Sequence, residues 1–484
     1  MEEKNLSRKI SRRKAIGTAG KIAITAVVTG AVAGLGGYLI GSSSTPLPKT
    51  ETVTKTETVT KTITSTPATT ITTTKPLTRA EIVVAVEAGS PHTDGYMKSR
   101  ISAFEEKTGI KVKWVAIPHE QMREKFLTEL VVGKTGAYDV IQFDGPCIAE
   151  FVEGGALEPI DEYVSPADLN DFYEVAIEPC MYKGKLYGLP YLVHDQILYY
   201  RTDLFREAGL DPEKPPTTWD ELVEYAKALT KPEENIWGFV VEGKGPGHPE
   251  VPCKYLDFLY AAGGSIFADD EKDFSKVVLD ETPGIEAMQF MVDLLHKYKV
   301  CPPGALGFDC ADVHTMFMQG VLAMAHNWPY QFGLCIDPSA SKVVDKFDVA
   351  LMPKKVRIAG AAFAWFLAIP SSSKNKEAAW EFVHFMTSSE ELYGLNLYNP
   401  GPVMRKSAAK LIEDDPKVPD LTKKFIRVCT EMLGHGITNA VKHTKYAVIK
   451  DEIIGGMIPE ALAQRKTPEK AVKDAAEAIR ELIK

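Results

Sequence analysis

The sequence predicts an α/β fold, because short apolar strands alternate with amphipathic helices along residues 81–147. Strands are expected at residues 82–86, 111–117 and 138–143, and helices at residues 96–107 and 119–132. Strands separated by helices of this length form parallel βαβ units. Ligands of such sheets bind beyond the carboxyl ends of the strands, so residues 87–94 and 144–147 are expected to border a site.

The rest of the chain is rich in predicted helices. The segment TWDE, from Thr218 to Glu221, forms a capping box that begins a helix ending near Thr230. Further helices are expected at residues 252–262, 283–298, 374–388, 421–433, 446–463 and 468–483, and strands at residues 321–326, 348–351 and 364–369. Apolar residues make up 45% of the sequence, which is enough for a sizeable core.

Residues 1–44 have the composition of an export signal or a membrane anchor. Arg12 and Arg13 precede an uncharged apolar stretch of 19 residues at 22–40. As a helix this stretch would span about 28 Å, close to the hydrocarbon thickness of a bilayer. The segment resembles a twin-arginine export signal, although Ala15 stands where a bulky apolar residue is common. Export by the twin-arginine route and export by the general route are both compatible with this segment. The segment is either cleaved or kept, and its length favours an anchor that holds the protein at the extracellular face of the cell membrane.

Residues 45–77 are roughly half threonine, and the hexapeptide at 50–55 is repeated at 56–61. The pattern alternates as a strand does, but no face of it is apolar, and four prolines interrupt pairing. A solvated, extended linker is therefore predicted, with a reach of about 100 Å at most.

Charge and cysteine content exclude several classes of protein. The net charge is -9 overall, and residues 78–484 carry -16, which disfavours binding to nucleic acid. The seven cysteines form no CxxC pair and no zinc-finger spacing with histidine. Cys301 and Cys310 are either free thiols or joined by a disulfide that would close a short loop. No cofactor or metal site is predicted.

Motifs of catalysis are absent from the sequence. His119 and Glu120 begin a metalloprotease-like pattern, but no second histidine follows at the required spacing. There is no GxSxG elbow and no phosphate-binding loop of the GxxxxGK type. The sequence therefore predicts a protein that is not an enzyme.

Seven segments occur in an order and spacing typical of one family. They are FEEKTGIKV (104–112), YDVIQFD (138–144), YKGKLYGLP (182–190), LYYRTDLF (198–205), FMQGVLAMAHNWPY (317–330), AFAWFLAIP (362–370) and PGPVMR (400–405). Together they resemble family 1 extracellular solute-binding proteins of ABC importers, the group that contains the maltodextrin-binding protein. The resemblance runs from about Glu81 to the C-terminus.

The resemblance implies a type II periplasmic-binding-protein-like fold, in which two discontinuous α/β lobes are joined by a hinge and close over a ligand. The first lobe would comprise residues 79–192 and 366–415, and the second residues 193–365 and 416–484. The resemblance implies a monomeric receptor that captures a solute, in this family commonly a sugar, for the permease subunits of an ABC transporter. A sensor with the same lobes and a secreted carbohydrate-active enzyme are the alternatives.

A sugar site needs polar groups for hydroxyls and flat aromatic surface for C–H faces. Trp328 matches the tryptophan that family members stack on ligand, and the proline that follows it places it on a loop. Trp365 matches a cleft aromatic, although it lies in an apolar strand where core packing is the alternative. Asp144 ends a buried strand, and Asp195 lies at the expected crossover between lobes. For these two, a turn or cap and a hinge salt bridge are the respective alternatives.

Further ligand-binding candidates are Tyr191, His194, Tyr330, Glu87 and His248. Arg405 is equally well explained as a residue that steadies the fold. Maltodextrin binders carry an aromatic residue before the position of Tyr446, where this chain has Lys445. That difference argues against a long maltodextrin ligand.

Overall fold

The computed structural model describes residues 80–246, 248–436 and 441–484. The predicted anchor at 1–44 and linker at 45–77 lie outside the described residues. Within the described part of the chain, no helix is both long enough and apolar enough to cross a membrane.

Eleven strands are present among the described residues. They are β1 Glu81–Glu87, β2 Lys111–Ile117, β3 Val140–Asp144, β4 Met181–Tyr182, β5 Lys185–Leu186, β6 Gly188–His194, β7 Ile197–Arg201, β8 Asp273–Val277, β9 Met324–Asn327, β10 Phe347–Ala350 and β11 Phe363–Ala368.

Helices surround these strands. The α-helices of three turns or more are Trp219–Leu229, Val251–Ala261, Thr282–His296, Lys376–Met386, Asp420–Leu433 and Pro468–Leu482. Shorter α-helices are Ile101–Thr108, His119–Phe126, Ile148–Glu153, Pro166–Asp171, Glu174–Ile177, Thr202–Glu207, Cys310–Met318, Tyr330–Cys335, Ser389–Tyr398, Lys406–Asp414, Tyr446–Val448 and Gly455–Leu462. Wider π-helical turns occur at Pro91–Met97, Leu127–Val132 and Ile449–Ile454.

The first sheet has five strands in the order β2-β1-β3-β11-β6. Strand β1 runs parallel to β2 and β3, which confirms the predicted βαβ units. Strand β11 is inserted between β3 and β6 and runs antiparallel to both. Because β11 runs the opposite way, its first residues lie beside the last residues of β3 and β6.

The second sheet has three antiparallel strands in the order β10-β7-β9. The chain leaves the first sheet at His194, enters β7 at Ile197, and returns to the first sheet at Phe363. This path gives the two-lobed α/β fold. The predicted lobe changes at 192/193 and 365/366 fall in the last residues of β6 and the first residues of β11, and these exact boundaries stay a prediction.

Most predicted elements are present with shifted ends, and three predicted helices are divided. The helix expected at 96–107 is a π turn followed by Ile101–Thr108, and that at 119–132 is His119–Phe126 followed by the π turn Leu127–Val132. The helix expected at 446–463 is interrupted by the π turn Ile449–Ile454. The capping box at Thr218 is confirmed, with reciprocal bonds between Thr218 and Glu221.

Candidate ligand-binding cleft

One edge of the first sheet gathers polar and aromatic side chains. Glu87, Asp144 and His194 are the last residues of β1, β3 and β6. In the strand register, Asp144 lies opposite Trp365, and His194 lies opposite Phe363. The residues are neighbours because the carboxyl ends of three strands meet the start of the antiparallel β11 at this edge.

A cavity of about 220 Å³ opens beside this edge, and we call it the ligand cavity. From the first sheet and its loops it is lined mainly by Glu87, His92, His119, Asp144, His194 and Trp365. From other parts of the chain it is lined by Glu250, Cys253, Cys310, Trp328, Tyr330 and Lys450. A neighbouring cavity of about 300 Å³ shares His119, Asp144, Pro249, Trp365 and Lys450 with it. The two cavities together form the cleft.

Trp328 supplies an aromatic wall of the ligand cavity. It lies on the short loop between β9 and the helix Tyr330–Cys335, as the Trp-Pro sequence predicts. Its backbone is held on both sides, since its N–H donates to Asn327 Oδ1 at 2.9 Å and its carbonyl accepts from the Tyr199 hydroxyl at 3.0 Å. Only 7% of the residue is exposed, and its indole Nε1 has no hydrogen-bond partner among the described residues.

Two further rings complete the aromatic surface. The ring of Phe363 meets that of Trp328 edge-on, with centroids 5.9 Å apart. Trp365 is partly exposed and packs against the imidazole of His119 with centroids 4.9 Å apart. The cavity therefore offers flat apolar surface of the kind that binds the C–H face of a ligand.

The carboxyls of Asp144 and Glu87 lie in surroundings that penalise negative charge. Asp144 Oδ1 is buried and has no hydrogen-bond partner among the described residues. Burial raises the pKa of Asp144 to about 7, and Asp451 adds to the rise while Lys450 opposes it. Burial also raises the pKa of Glu87 to about 7, and the charge of Glu250 adds to it. A hydrogen-bond donor or a positive charge from a ligand would therefore stabilise the charged form of both carboxyls.

Two histidines on the cavity wall are neutral. The amide nitrogen of Asn399 lies 2.7 Å from His92 Nε2, so this ring nitrogen accepts and Nδ1 carries the proton toward Ser90 Oγ. Burial lowers the pKa of His92 to about 4. Burial also lowers the pKa of His194, whose Nε2 has no partner within the described chain. The ring centroids of the two residues are 5.5 Å apart.

Lys450 is the one lysine or arginine among the described residues that line the ligand cavity. The π turn Ile449–Ile454 carries it, and such turns recur at functional sites. It is 2% exposed, donates from Nζ to the Pro249 carbonyl at 2.9 Å and lies 2.5 Å from Asp451 Oδ1. Burial is the largest influence and disfavours its charge, but Asp451, Cys253 and Asp144 together outweigh burial and raise the pKa of Lys450.

This arrangement of lobes and cleft can now be compared with known proteins. A family model described as bacterial extracellular solute-binding protein matches residues 88–392. The chain belongs to this family. The members of the family are exported binding proteins, which agrees with the resemblance noted from the sequence.

Individual relatives are similar over most of the described chain. The mannitol-binding protein of Pseudomonas aeruginosa is 30% identical over 304 residues, which span 62% of this chain and 66% of that protein. A solute-binding protein of Thermotoga lettingae with bound α-D-tagatose is 30% identical and has a TM-score of 0.72, over 84% of this chain and 100% of that one. A solute-binding protein of Agrobacterium radiobacter with bound ribitol is 28% identical, with a TM-score of 0.72 and the same coverage.

Six of the predicted site residues line the ligand cavity of this solute-binding protein. They are Glu87, Asp144, His194, Trp328, Tyr330 and Trp365. Tyr330 donates its hydroxyl to the Cys310 carbonyl at 3.2 Å, which leaves its ring at the wall. Their roles in binding stay predictions.

The structure places the other three predicted residues outside the lining. Tyr191 is buried and donates its hydroxyl to the His92 carbonyl at 2.8 Å, so it supports a lining residue. His248 lies with Nδ1 3.6 Å from Asp309 Oδ2. Asp195 is 1% exposed at the passage from β6 to β7 and accepts from the Gln196 N–H at 2.7 Å. Burial raises the pKa of Asp195, and the neighbouring carboxyl of Asp257 adds to the rise, so a salt bridge at the hinge does not explain this residue.

Sequence reasoning missed His92, His119, Glu250 and Lys450 as lining residues. His92 lies within residues 87–94, the loop that was expected to border a site, so its position could have been found. Lys450 lies in a segment that has the pattern of an ordinary amphipathic helix, and nothing in its neighbours marks it as facing a cavity.

All seven cysteines are free thiols. The alternative of a disulfide between Cys301 and Cys310 is therefore wrong. Cys301 is buried at 3% exposure, whereas Cys310 begins the helix Cys310–Met318 and lines the ligand cavity. Cys253 lines the ligand cavity as well, and burial raises the pKa of its thiol. Such thiols act as small apolar groups. No cluster of three or more metal-ligating side chains exists in the described part of the chain.

Proposed function

We propose that this protein captures a small sugar or sugar alcohol in the cleft and delivers it to an ABC importer. The observation that carries the proposal is the pairing of aromatic walls with unpartnered polar atoms in one cavity. Relatives named for mannitol and structures with bound tagatose or ribitol support the ligand class.

A polyhydroxylated ligand matches the chemistry of the cavity. Asp144 Oδ1 can accept from a hydroxyl, and the Trp328 indole N–H can donate to one. His194 Nε2 supplies a third polar contact, and the rings of Trp328 and Trp365 pack on C–H faces. Each buried polar atom gains the partner that it lacks, which is the source of both affinity and specificity.

The size of the cavity favours a ligand of one sugar unit. Its volume of about 220 Å³ is below the range of roughly 300–1,000 Å³ that is typical of drug-sized ligands. Lys445 is exposed and is not among the residues that line either cavity. The second cavity, whose lining includes Phe126, Phe143, Phe151 and Trp365, could admit a neighbouring unit.

The same proposal covers the parts of the chain that the structure does not describe. Residues 1–44 hold the monomeric receptor at the outer face of the membrane, and residues 45–77 let it reach the permease. The lobes 79–192 with 366–415 and 193–365 with 416–484 close over the ligand, which passes on without chemical change. Deletion of residues 1–77 is expected to leave binding intact.

A thermal-shift screen tests the ligand class. The screen should contain sugars, sugar alcohols, polyamines and ferric iron, and isothermal titration calorimetry should follow each response. A ligand at 100 times its Kd stabilises the native state by about 2.7 kcal/mol, which raises the melting temperature measurably. Stabilisation by a sugar or sugar alcohol supports the proposal. A response confined to polyamines or iron, or turnover of the ligand on long incubation, would contradict it.

A further inference from the structure

Three carboxyls from separate parts of the chain converge on the ligand cavity. Glu87 and Asp144 end strands of the first sheet, and Glu250 precedes the helix Val251–Ala261. They lie close enough that the charge of Glu250 acts on both Glu87 and Asp144. Like charges that are partly shielded from water repel one another, so either a bound proton or a positively charged partner must compensate them.

The described chain supplies little positive charge for this purpose. Lys450 is already bound to the Pro249 carbonyl and to Asp451. His119 Nδ1 lies 3.8 Å from Glu87 Oε1, and it compensates only when protonated. The neighbouring cavity adds Glu124, Asp451 and Glu452, and its arginine, Arg123, is bonded through two nitrogens to Glu150.

Two further observations indicate what would fill the cavity. Asp144 Oδ1 is a buried acceptor without a partner, and the Nε1 donor of Trp328, which is only 7% exposed, also lacks one. Trp328 and Trp365 both line the cavity, and tryptophan has the aromatic ring that attracts a cation most strongly. The cavity thus offers negative charge and aromatic faces to a cation, and a donor to a hydroxyl.

We propose that the preferred ligand carries a primary ammonium group beside its hydroxyls, as an amino sugar or an amino sugar alcohol does. The ammonium lies among Glu87, Asp144 and Glu250, and a ligand hydroxyl accepts from Trp328 Nε1. This inference rests on the proposed function and narrows its ligand class.

Calorimetry with matched pairs tests the inference. The pairs are glucosamine and glucose, galactosamine and galactose, mannosamine and mannose, and 1-amino-1-deoxysorbitol and sorbitol, each in phosphate buffer at pH 7.5. Tris is avoided because it is itself a hydroxylated amine. For the pair that fits best, the amine is expected to bind at least about tenfold more tightly, since charge-assisted hydrogen bonds are about twice as strong as neutral ones. The N-acetyl derivative loses the charge and adds an acetyl group, so it should lose this advantage as well.

Each other outcome has a distinct meaning. If the neutral member binds as tightly as the amine or more so, the ammonium inference is overturned and the proposed function stands. If putrescine or spermidine binds and no member of the pairs does, both are overturned. Absence of any response to the pairs and to every sugar and sugar alcohol of the screen, at about 1 mM ligand, also overturns both.

Two matched variants locate the effect. Glu250→Gln removes one charge at constant shape and is expected to reduce the amine-to-neutral affinity ratio by about threefold to tenfold. Glu234→Gln removes an exposed carboxylate on the turn Pro232–Glu234, and the ratio should not change. An unchanged ratio in Glu250→Gln, with the native melting profile retained, overturns the placement of the ammonium.

Discussion

Two groups of buried charges in this protein are built in opposite ways. Arg405 is 2% exposed, and its guanidinium lies 2.6 Å from Asp168 Oδ1 and 3.3 Å from Asp171 Oδ2. Its Nε donates to the Thr387 carbonyl, and Phe172 packs against its face at 3.8 Å. In the ligand cavity, by contrast, Glu87, Asp144 and Glu250 line a wall whose one lysine among the described residues, Lys450, is already paired with Asp451.

The difference separates a structural role from a binding role. Arg405 is a charge whose partners come from the chain itself, so it stabilises the packing of the segments that it joins. The cavity carboxyls lower the stability of the empty protein, because burial and mutual repulsion disfavour their charge. Such a cost persists where a ligand supplies the missing partner.

Loss of Arg405 is expected to have the largest effect, and that effect is on stability. In Arg405→Ala, the partly buried carboxylates of Asp168 and Asp171 lose their partner and a cavity is left, so the free energy of unfolding should fall by about 2–4 kcal/mol. Urea unfolding followed by circular dichroism measures it. Arg427→Ala, which removes an exposed pair with Glu413, serves as the control and should change little. Equal losses of stability in both variants would contradict a structural role for Arg405.

Loss of Trp328 is expected to act mainly on binding. Trp328→Ala removes an aromatic wall and the indole donor, so the Kd of the cognate ligand should rise about tenfold or more. Trp380→Ala is a matched control, because Trp380 packs on Tyr163 and His384 away from the cavity. Calorimetry on both variants decides the point, and an unchanged Kd in Trp328→Ala would exclude this residue from the site.

The smallest effect is expected in the pH dependence of stability. The pKa of Asp144 is about 7 in the folded protein and 3.8 in its ordinary state. The native state therefore holds this proton longer, so the stabilisation that it provides is full below pH 4 and is lost as pH rises through 7. Asp144→Asn cannot lose a proton. Its stability relative to the wild type should therefore grow by about 1 kcal/mol between pH 6 and pH 8.

The difference between variant and wild type is the quantity to measure. The lowered pKa values of His92 and His194 tilt the curves the other way, but they do so in both proteins and cancel. Asp345→Asn, which changes an exposed carboxyl, provides a flat reference. A difference that does not vary with pH would show that Asp144 is not held in an unfavourable state.

The sequence revealed the cleft edge of the first sheet better than the rest of the site. Glu87 and Asp144 could be located because each directly follows a strand with a clear apolar pattern. Strand β6 was missed, since all seven of its residues are buried, which removes the alternation of a half-exposed strand, and Pro190 interrupts it. Trp328 could be placed on a loop because of the proline that follows it.

The remaining site residues depend on long-range packing. Lys450 reaches the cavity because a π turn rotates that part of the helix, and no residue pattern predicts such a turn. Glu250 is close to Glu87 only after two distant segments pack together. Their separation along the sequence does not indicate that they are close in space, so their mutual repulsion could not be predicted.

The insertion of β11 between β3 and β6 sets an order of events during folding. Every strand of the second sheet lies between residues 197 and 350, and so emerges before Phe363–Ala368 has been synthesised. Until β11 arrives, β3 and β6 have no strand between them, and joining β3 to β11 must close a loop of more than 200 residues. We therefore expect the second sheet to form first and the first sheet, which carries the acidic edge of the cleft, to be completed late.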